Sequence, residues 1–281
     1  MNSITIKCNA KINLSIDVKG IRPDGYHDVE LILNEISLYD ILNVKLTKEK
    51  KINLTCDDKS LPTDSKNIAY KAAEMFFAET NLDLGADITL NKRIPHGAGL
   101  AGGSADAAGV LRALNTLTGS ALSDERLFKL ASRLGADVPF CLCGGCALGE
   151  GIGDILTPLP PLKGFSYVIV KPDESISTAY VYKNLDLNMR PKNLNVHKVA
   201  EGIRRRDIQM VIQNAGNIME GVTALKFPVI NDIKTFMYKS GAMLSLMSGS
   251  GTSVFGIFDD LATARKAAEA LSKVYNSVYM V

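Results

Sequence analysis

The feature that most constrains the chain is an alternation near its start. Ile4, Ile6, Cys8, Ala10, Ile12, Leu14, Ile16 and Val18 are apolar and all fall on even positions. Thr5, Lys7, Asn9, Lys11, Asn13, Ser15 and Asp17 fill the odd ones. A period of two held over this length specifies a β-strand with one buried face. It also sends Lys11 and Asn13 out together from the opposite face. Taken alone, that pair is most simply a solvated strand face.

Asp24-Gly25 marks a turn, and 29–39, 40–46 and 51–56 read as three more strands. Ile68, Ala72, Met75 and Phe76 recur every three or four residues, which predicts a helix over 67–80 capped by Asp64 or Ser65. Residues 86–94 alternate again as a strand. A small-residue helix follows over 103–117, and Ser123 with Asp124 and Glu125 opens another that Gly135 stops. Pro158, Pro160, Pro161 and Gly164 cluster at a predicted boundary, dividing the chain into domains 1–158 and 159–281. Beyond it the pattern reads as a strand at 166–171, helices, strands at 242–246 and 253–258, and a last helix over 261–275. That is a small sheet with helices on one face, an α+β module.

Between the strand near Ile94 and the next helix lies the run Pro95-His96-Gly97-Ala98-Gly99-Leu100-Ala101-Gly102-Gly103-Ser104-Ala105. Glycines let backbone approach a ligand closely, and a helix start presents unpaired N–H groups with partial positive charge. Together they suit a phosphate, and Ser104 stands where a hydroxyl reaches a phosphate or its Mg²⁺. No lysine follows the glycines, so this is not a Walker A loop. A dinucleotide fingerprint belongs in a first βα unit, which this is not. The plain alternative is a tight turn without a ligand.

Three other stretches carry chemistry. Asp137, in Gly135-Ala136-Asp137-Val138-Pro139, is an acid in an uncharged setting, suited to accept a proton or simply to cap a helix. Ser248-Gly249-Ser250-Gly251-Thr252 is a second anion nest or a glycine-rich hairpin. Tyr26-His27 follows the turn at Asp24-Gly25 and is, at its plainest, a surface aromatic on a loop.

Composition narrows the classes. With 46% hydrophobic residues among 281, the chain can bury a core, which excludes disorder. Lys and Arg number 32 against 30 acids, so the near-neutral charge of +2 gives no reason to expect nucleic acid or a membrane surface as partner. No run is long and apolar enough to span a bilayer, and no export signal opens the chain. Five cysteines without an export signal read as reduced thiols of a cytoplasmic protein. Cys141, Cys143 and Cys146 cluster without a fourth ligand, so no protein-held metal is expected. The absence of a long amphipathic seam suggests a monomer or weak homodimer. Arg204-Arg205-Arg206 reads as a solvated helix face.

The motifs occur in the order of one superfamily. Pro-x₃-Gly-Leu-x-Gly-Gly-Ser from Pro95 resembles the ATP phosphate loop of GHMP kinases, and Ser248-Gly249-Ser250-Gly251 their C-terminal glycine motif. Ala10-Lys11-Ile12-Asn13-Leu14, then Arg22-Pro23-Asp24-Gly25-Tyr26-His27, then Leu134-Gly135-Ala136-Asp137-Val138-Pro139 are similar to the branch acting on a cytidine diphosphate-linked methylerythritol. The resemblance runs from about Cys8 to Phe258. It implies an α+β, two-domain GHMP kinase fold. The N-terminal domain would be like domain 2 of ribosomal protein S5, and the C-terminal domain ferredoxin-like.

The resemblance further implies transfer of the ATP γ-phosphate to the 2-hydroxyl of that small molecule, a step of the non-mevalonate route to isoprenoid precursors. Asp137 would accept the hydroxyl proton and Lys11 would neutralise charge at the nucleophile. Asn13 would orient the substrate. Tyr26 would stack on the cytosine and His27 read its edge, with Thr178 and Tyr182 facing the same pocket. Ser248, Gly249 and Ser250 would touch substrate. Pro95 through Ala105 would cradle ATP, with Mg²⁺ bridging its phosphates. His96 stands where the family often has an apolar residue, and Thr252 closes a loop that varies. Homoserine kinase is the nearest alternative, but Tyr26-His27 is superfluous for a small amino acid. A decarboxylase of the same fold and a nucleotide sensor without chemistry are weaker readings.

Overall fold

The computed structural model describes residues 3–281. The chain forms two compact units that interleave along the sequence. The first comprises residues up to Ala10, Ser37–His96 and Ala101–Gly144; the second comprises Lys11–Ile36, Gly97–Leu100 and Gly145–Val281.

Two long strands open the chain, β1 (Ser3–Ile21) and β2 (His27–Thr47), and they pair with each other. β2 was expected as two strands meeting at Tyr39 and Asp40. It is continuous, because Asp40 is fully buried and its carboxylate accepts the N–H groups of Arg93 at 2.5 Å and Ile94 at 2.9 Å. A charge satisfied in this way does not break a strand.

In the first unit β3 (Ile52–Cys56) runs parallel to β4 (Gly85–Asn91), which pairs antiparallel with Ile41–Thr47 of β2. Four helices accompany them: α1 (Ile68–Thr80), α2 (Gly102–Leu117), α3 (Asp124–Leu134) and α4 (Val138–Cys143). The cap of α1 is Asn67, whose side chain accepts the Ala69 N–H at 2.9 Å; Asp64 makes the turn ahead of it instead. Ser123 caps α3 and Gly135 ends it, as expected. α2 is buried on most sides. A Cβ on Gly109 would lie 2.3 Å from Cys8 Sγ, so the close approach of helix and strand requires glycine there.

In the second unit Leu31–Asn34 of β2 pairs antiparallel with β5 (Cys146–Glu150), and β5 with β6 (Ile155–Leu159). Neither β5 nor β6 stands out in the sequence, because a cysteine cluster precedes one and Pro158 lies inside the other. Proline is tolerated there because β6 is an edge strand.

A second sheet is built from β7 (Ser166–Lys171), β8 (Leu244–Met247), β9 (Val254–Phe258) and β10 (Ser277–Met280), in the order β10-β7-β9-β8 and antiparallel throughout. Helices α5 (Thr178–Lys183), α6 (Val196–Arg205), α7 (Ile208–Asn214), α8 (Glu220–Lys226), α9 (Val229–Lys239) and α10 (Leu261–Leu271) complete the unit. The last helix stops four residues short of the expected Tyr275, and a turn leads from it to β10. Helix, sheet and connection thus give the expected α+β class. Among the described residues no helix is long and apolar enough to cross a membrane.

Candidate active site

The alternation of β1 does not end in a solvated face. From Ala10 to Val18 every residue is buried, including Lys11, Asn13, Ser15 and Asp17. The reading of Lys11 and Asn13 as solvent-facing is corrected on this point. Backbone of the second unit covers the polar side. Ile16 N–H donates to Gly216 O at 2.9 Å, Ile218 N–H donates to Ile16 O at 3.2 Å, and Ser15 Oγ donates to Gly216 O at 3.2 Å. Buried polar groups persist only when bonded, and these are.

Lys11 Nζ donates to Asn13 Oδ1 at 2.6 Å. The Asn13 N–H donates to Ser248 Oγ at 3.2 Å, and that hydroxyl donates to Gly99 O at 2.9 Å. Lys11 N–H donates to Leu100 O at 3.1 Å. A connected row of hydrogen bonds therefore joins Lys11, Asn13, the 97–100 segment and the serine-glycine loop inside one unit. Gly99 has φ +74°, and a Cβ there would sit 2.1 Å from Ser248 O. Ala98 is buried and its carbonyl accepts the Ser253 N–H at 3.3 Å. Gly97 is open, with nothing within 4 Å of a notional Cβ, and His96 is exposed.

The 248–252 loop is held from several sides. Asn217 Nδ2 donates to Met247 O and Gly249 O, both at 2.8 Å. Thr223 Oγ1 donates to Ser250 O at 3.0 Å, and Thr252 Oγ1 donates to Glu174 O at 2.6 Å. Ser250 Oγ and Thr178 Oγ1 lie 2.9 Å apart. Near the other end of β1, the rings of His27 and Tyr182 stack at 4.5 Å and 29°. Tyr26 is 62% exposed, on a turn fixed by Asp24 Oδ1 accepting its N–H at 3.0 Å. An exposed phenol ring on the residue preceding one member of a stacked pair offers an aromatic face to a planar ligand.

In the first unit, Ala101 adopts a left-handed conformation ahead of α2 and gives it no side-chain cap. The first N–H to bond back is that of Ala105, to Ala101 O at 2.9 Å. The N–H groups of Gly102, Gly103 and Ser104 therefore lack intrahelical acceptors. Behind this turn Lys92 Nζ is bonded to Asp40, and to Asp106 at 2.6 Å. Burial pushes the Asp106 carboxyl up to about 7; Lys92 opposes the shift and Asp40 adds to it. Asp137 is half-buried at the start of α4, where its side chain makes no cap bond while its carbonyl accepts the Cys141 N–H at 3.1 Å.

Two sets of residues escaped the sequence reading. Asn217 carries no motif, since an asparagine in a loop signals only a turn. The Asp40, Lys92 and Asp106 cluster joins positions far apart in sequence; its only local signal is Asp40 set between Tyr39 and Ile41. The five cysteines are free thiols, four buried and Cys143 exposed.

Comparison with known proteins follows this geometry. Residues 67–145 match the GHMP kinases N terminal domain and residues 199–277 the GHMP kinases C terminal domain. A homoserine kinase from Cytophaga hutchinsonii shares the fold at TM-score 0.77 and 22% identity, covering 100% of this chain and 94% of that one. Similarity is greater elsewhere. The 4-diphosphocytidyl-2-C-methyl-D-erythritol kinase of Clostridium novyi is 46% identical over 272 residues, 96% of each chain. That of Alkaliphilus metalliredigens is 42% identical over 281 residues, covering 100% of this chain and 97% of its own. A crystal structure of 4-(cytidine 5'-diphospho)-2C-methyl-D-erythritol kinase superposes with TM-score 0.84 at 34% identity, over 99% of this chain and 98% of that one. The chain belongs to the GHMP kinases and, within them, to the 4-diphosphocytidyl-2-C-methyl-D-erythritol kinase family.

Proposed function

We propose that the chain transfers the γ-phosphate of ATP to the 2-hydroxyl of 4-diphosphocytidyl-2-C-methyl-D-erythritol, giving the 2-phosphate and ADP in the non-mevalonate route to isoprenoid precursors. The observation that carries this reading is 46% identity across 96% of a kinase of that name. Homoserine kinase is the second reading, and it rests on a likeness of fold at 22% identity. The exposed Tyr26 and the His27–Tyr182 stack favour a substrate with a planar base.

The chemistry divides among few groups. The substrate 2-oxygen forms a bond to the γ-phosphorus while the bond to the β–γ bridging oxygen breaks, and ADP leaves. Asp137 accepts the hydroxyl proton. Lys11 supplies positive charge at the nucleophile, and its bond to Asn13 leaves the amide to orient the substrate. The backbone from Pro95 to Ala105 receives the phosphates, with the uncapped N–H groups at the start of α2 as donors. Tyr26, His27, Thr178 and Tyr182 hold the cytidine. Ser248, Gly249 and Ser250 shape the acceptor side, each already anchored by the bonds described above.

Mg²⁺ suits this donor set. It takes hard oxygen ligands, and phosphate oxygens with the Ser104 hydroxyl would hold it. When bound it neutralises phosphate charge as the γ-group departs. Among the described residues no group of three or more His, Cys, Asp or Glu side chains could hold a metal without the nucleotide. The N-terminal family match lies within 1–158 and the C-terminal match within 159–281, which supports that boundary as the division between functional halves. The partner is a small molecule rather than nucleic acid or membrane. We read the enzyme as a cytoplasmic monomer or weak homodimer.

The test is ADP release from ATP and Mg²⁺ with 4-diphosphocytidyl-2-C-methyl-D-erythritol, beside homoserine and mevalonate. Turnover is expected with the cytidyl substrate only. Asp137→Asn should lower kcat by ~10²–10⁴-fold. Turnover with homoserine instead would discard the cytidine pocket and keep the phosphate loop.

A further inference from the structure

The polar face of β1 continues past Lys11, Asn13 and Ser15 to Asp17, which no step of the reaction uses. Asp17 is 1% exposed. Its carboxylate accepts Arg190 Nε at 2.9 Å and is also bonded by Arg190 Nη2, a bidentate fork. Lys19 reaches the same carboxylate at 3.2 Å and Glu30 at 3.0 Å. His197 Nε2 lies 3.3 Å from Glu30. Arg190 itself is 41% exposed in its side chain, so a buried acid on the strand grips an arginine that comes to it from outside.

What Arg190 carries is the strap that begins at Thr178. Helix α5 presents Thr178 and Tyr182, and the chain runs on from Asn184 to Arg190 with Leu187 and Met189 exposed. At its start the strap is held by the Thr178–Ser250 hydroxyl pair. Its second half borders an open groove lined by Leu185, Met189, Ile218, Val222 and Leu225, of which Met189 and Leu225 are exposed. From Lys183 to Arg190 every residue but Leu185 is exposed, so the segment gains little from packing and its position depends on what ties its ends.

We infer that Asp17 and Arg190 are a positioning pair for the proposed reaction: their ion pair ties the far end of the strap to β1 and so holds Tyr182 against His27 for the cytidine. This rests on the assignment of Tyr182 to the cytidine pocket. Neither residue touches substrate. A buried carboxylate held by a guanidinium fork sets direction as well as distance, which a lysine at 190 would not reproduce.

Two measurements on the intact enzyme decide it. Arg190→Met and Asp17→Asn should each raise KM for the cytidyl substrate by about tenfold, leaving KM for ATP unchanged. Arg190→Lys should fall between them and wild type. Hydrogen exchange of amides 184–190 should quicken in the same variants without ligand. Unchanged exchange in both would overturn the tether. Faster exchange with an unchanged cytidyl KM would overturn the positioning role. Tyr182→Ala separates the underlying assignment: if it leaves the cytidyl KM unchanged, the pocket reading fails and the positioning role fails with it. Should Arg190→Met prove unstable, Asp17→Asn, which keeps the shape of the buried group, carries the same test.

Discussion

The stretch leading into α2 and the 248–252 loop are both runs of glycine and small residues, yet they stand in opposite environments. At the start of α2, the N–H groups of Gly102, Gly103 and Ser104 have no intrahelical acceptors and no side-chain cap. In the second loop, Ser248, Ser250 and Thr252 are buried and their hydroxyls are engaged with Gly99, Thr178 and Glu174. The difference teaches that glycine content marks close backbone approach, not the identity of what approaches. At the start of α2 the uncapped N–H groups are those the proposed reading assigns to phosphate. At Gly99 and in the second loop the approach is made by the protein's own chain.

The backing differs too. An ionic cluster of Asp40, Lys92 and Asp106 stands behind the start of α2. Neutral groups, Asn217 and Thr223, support the second loop. Four substitutions sharpen or break this contrast. The largest effect is expected from Gly99→Ala, whose methyl would meet Ser248 O at 2.1 Å with φ +74°. Overlap with backbone cannot relax by rotamer change, so a loss of ~4 kcal/mol or more in urea unfolding is expected. A loss below about 1 kcal/mol would mean the two segments are not locked together.

Asn217→Ala comes next. It strands two buried carbonyls and should cost about 2–4 kcal/mol, with a reduced urea midpoint. If stability held, the second loop would not depend on that amide.

The ionic cluster adds a pH dependence that the neutral one lacks. Asp106 binds its proton up to about 7 when folded, against 3.8 as its ordinary value. Between about pH 4 and pH 7 the folded state holds a proton that the unfolded state has lost, so stability from this group declines as pH rises through that window. The slope is at most about 1.4 kcal/mol per pH unit. Asp106→Asn should flatten it when urea midpoints are compared across the window. A slope identical to wild type would assign the pH response elsewhere.

The smallest stability effect is expected from Gly97→Ala. Its φ of +61° costs a side chain about 1 kcal/mol, but nothing lies within 4 Å to collide with it. Its main consequence should be a raised KM for ATP, since the new methyl would occupy space that the proposed function gives to phosphate. Equal unfolding penalties at positions 97 and 99 would erase the contrast between open and closed approach.

Legibility in the sequence followed the range of the interactions. The strand at 166–171, the cap at Ser123 and the stop at Gly135 depend on neighbouring residues, and each was read where it lies. The break expected between Tyr39 and Asp40 was wrong because the groups that satisfy Asp40 come from Arg93 and Ile94. β10 was missed because residues 277–280, past the expected helix, acquire strand character only by pairing with β7. For the proposed site, the glycine run, Lys11, Asn13, Tyr26, His27 and Asp137 were legible as motifs. Asn217, Asp17 and Arg190 were not.

The sequence by itself determined the α+β class, the family and the residue types at each candidate position, because periodicity and short motifs are properties of adjacent residues. Only the tertiary structure decided that the polar face of β1 is buried, that Ser248 bonds to Gly99, and that Arg190 closes on Asp17. Each of these is a partnership across 149 to 235 positions of chain. Burial and hydrogen bonding at that separation are set by which surfaces the fold brings together, and no local pattern encodes them.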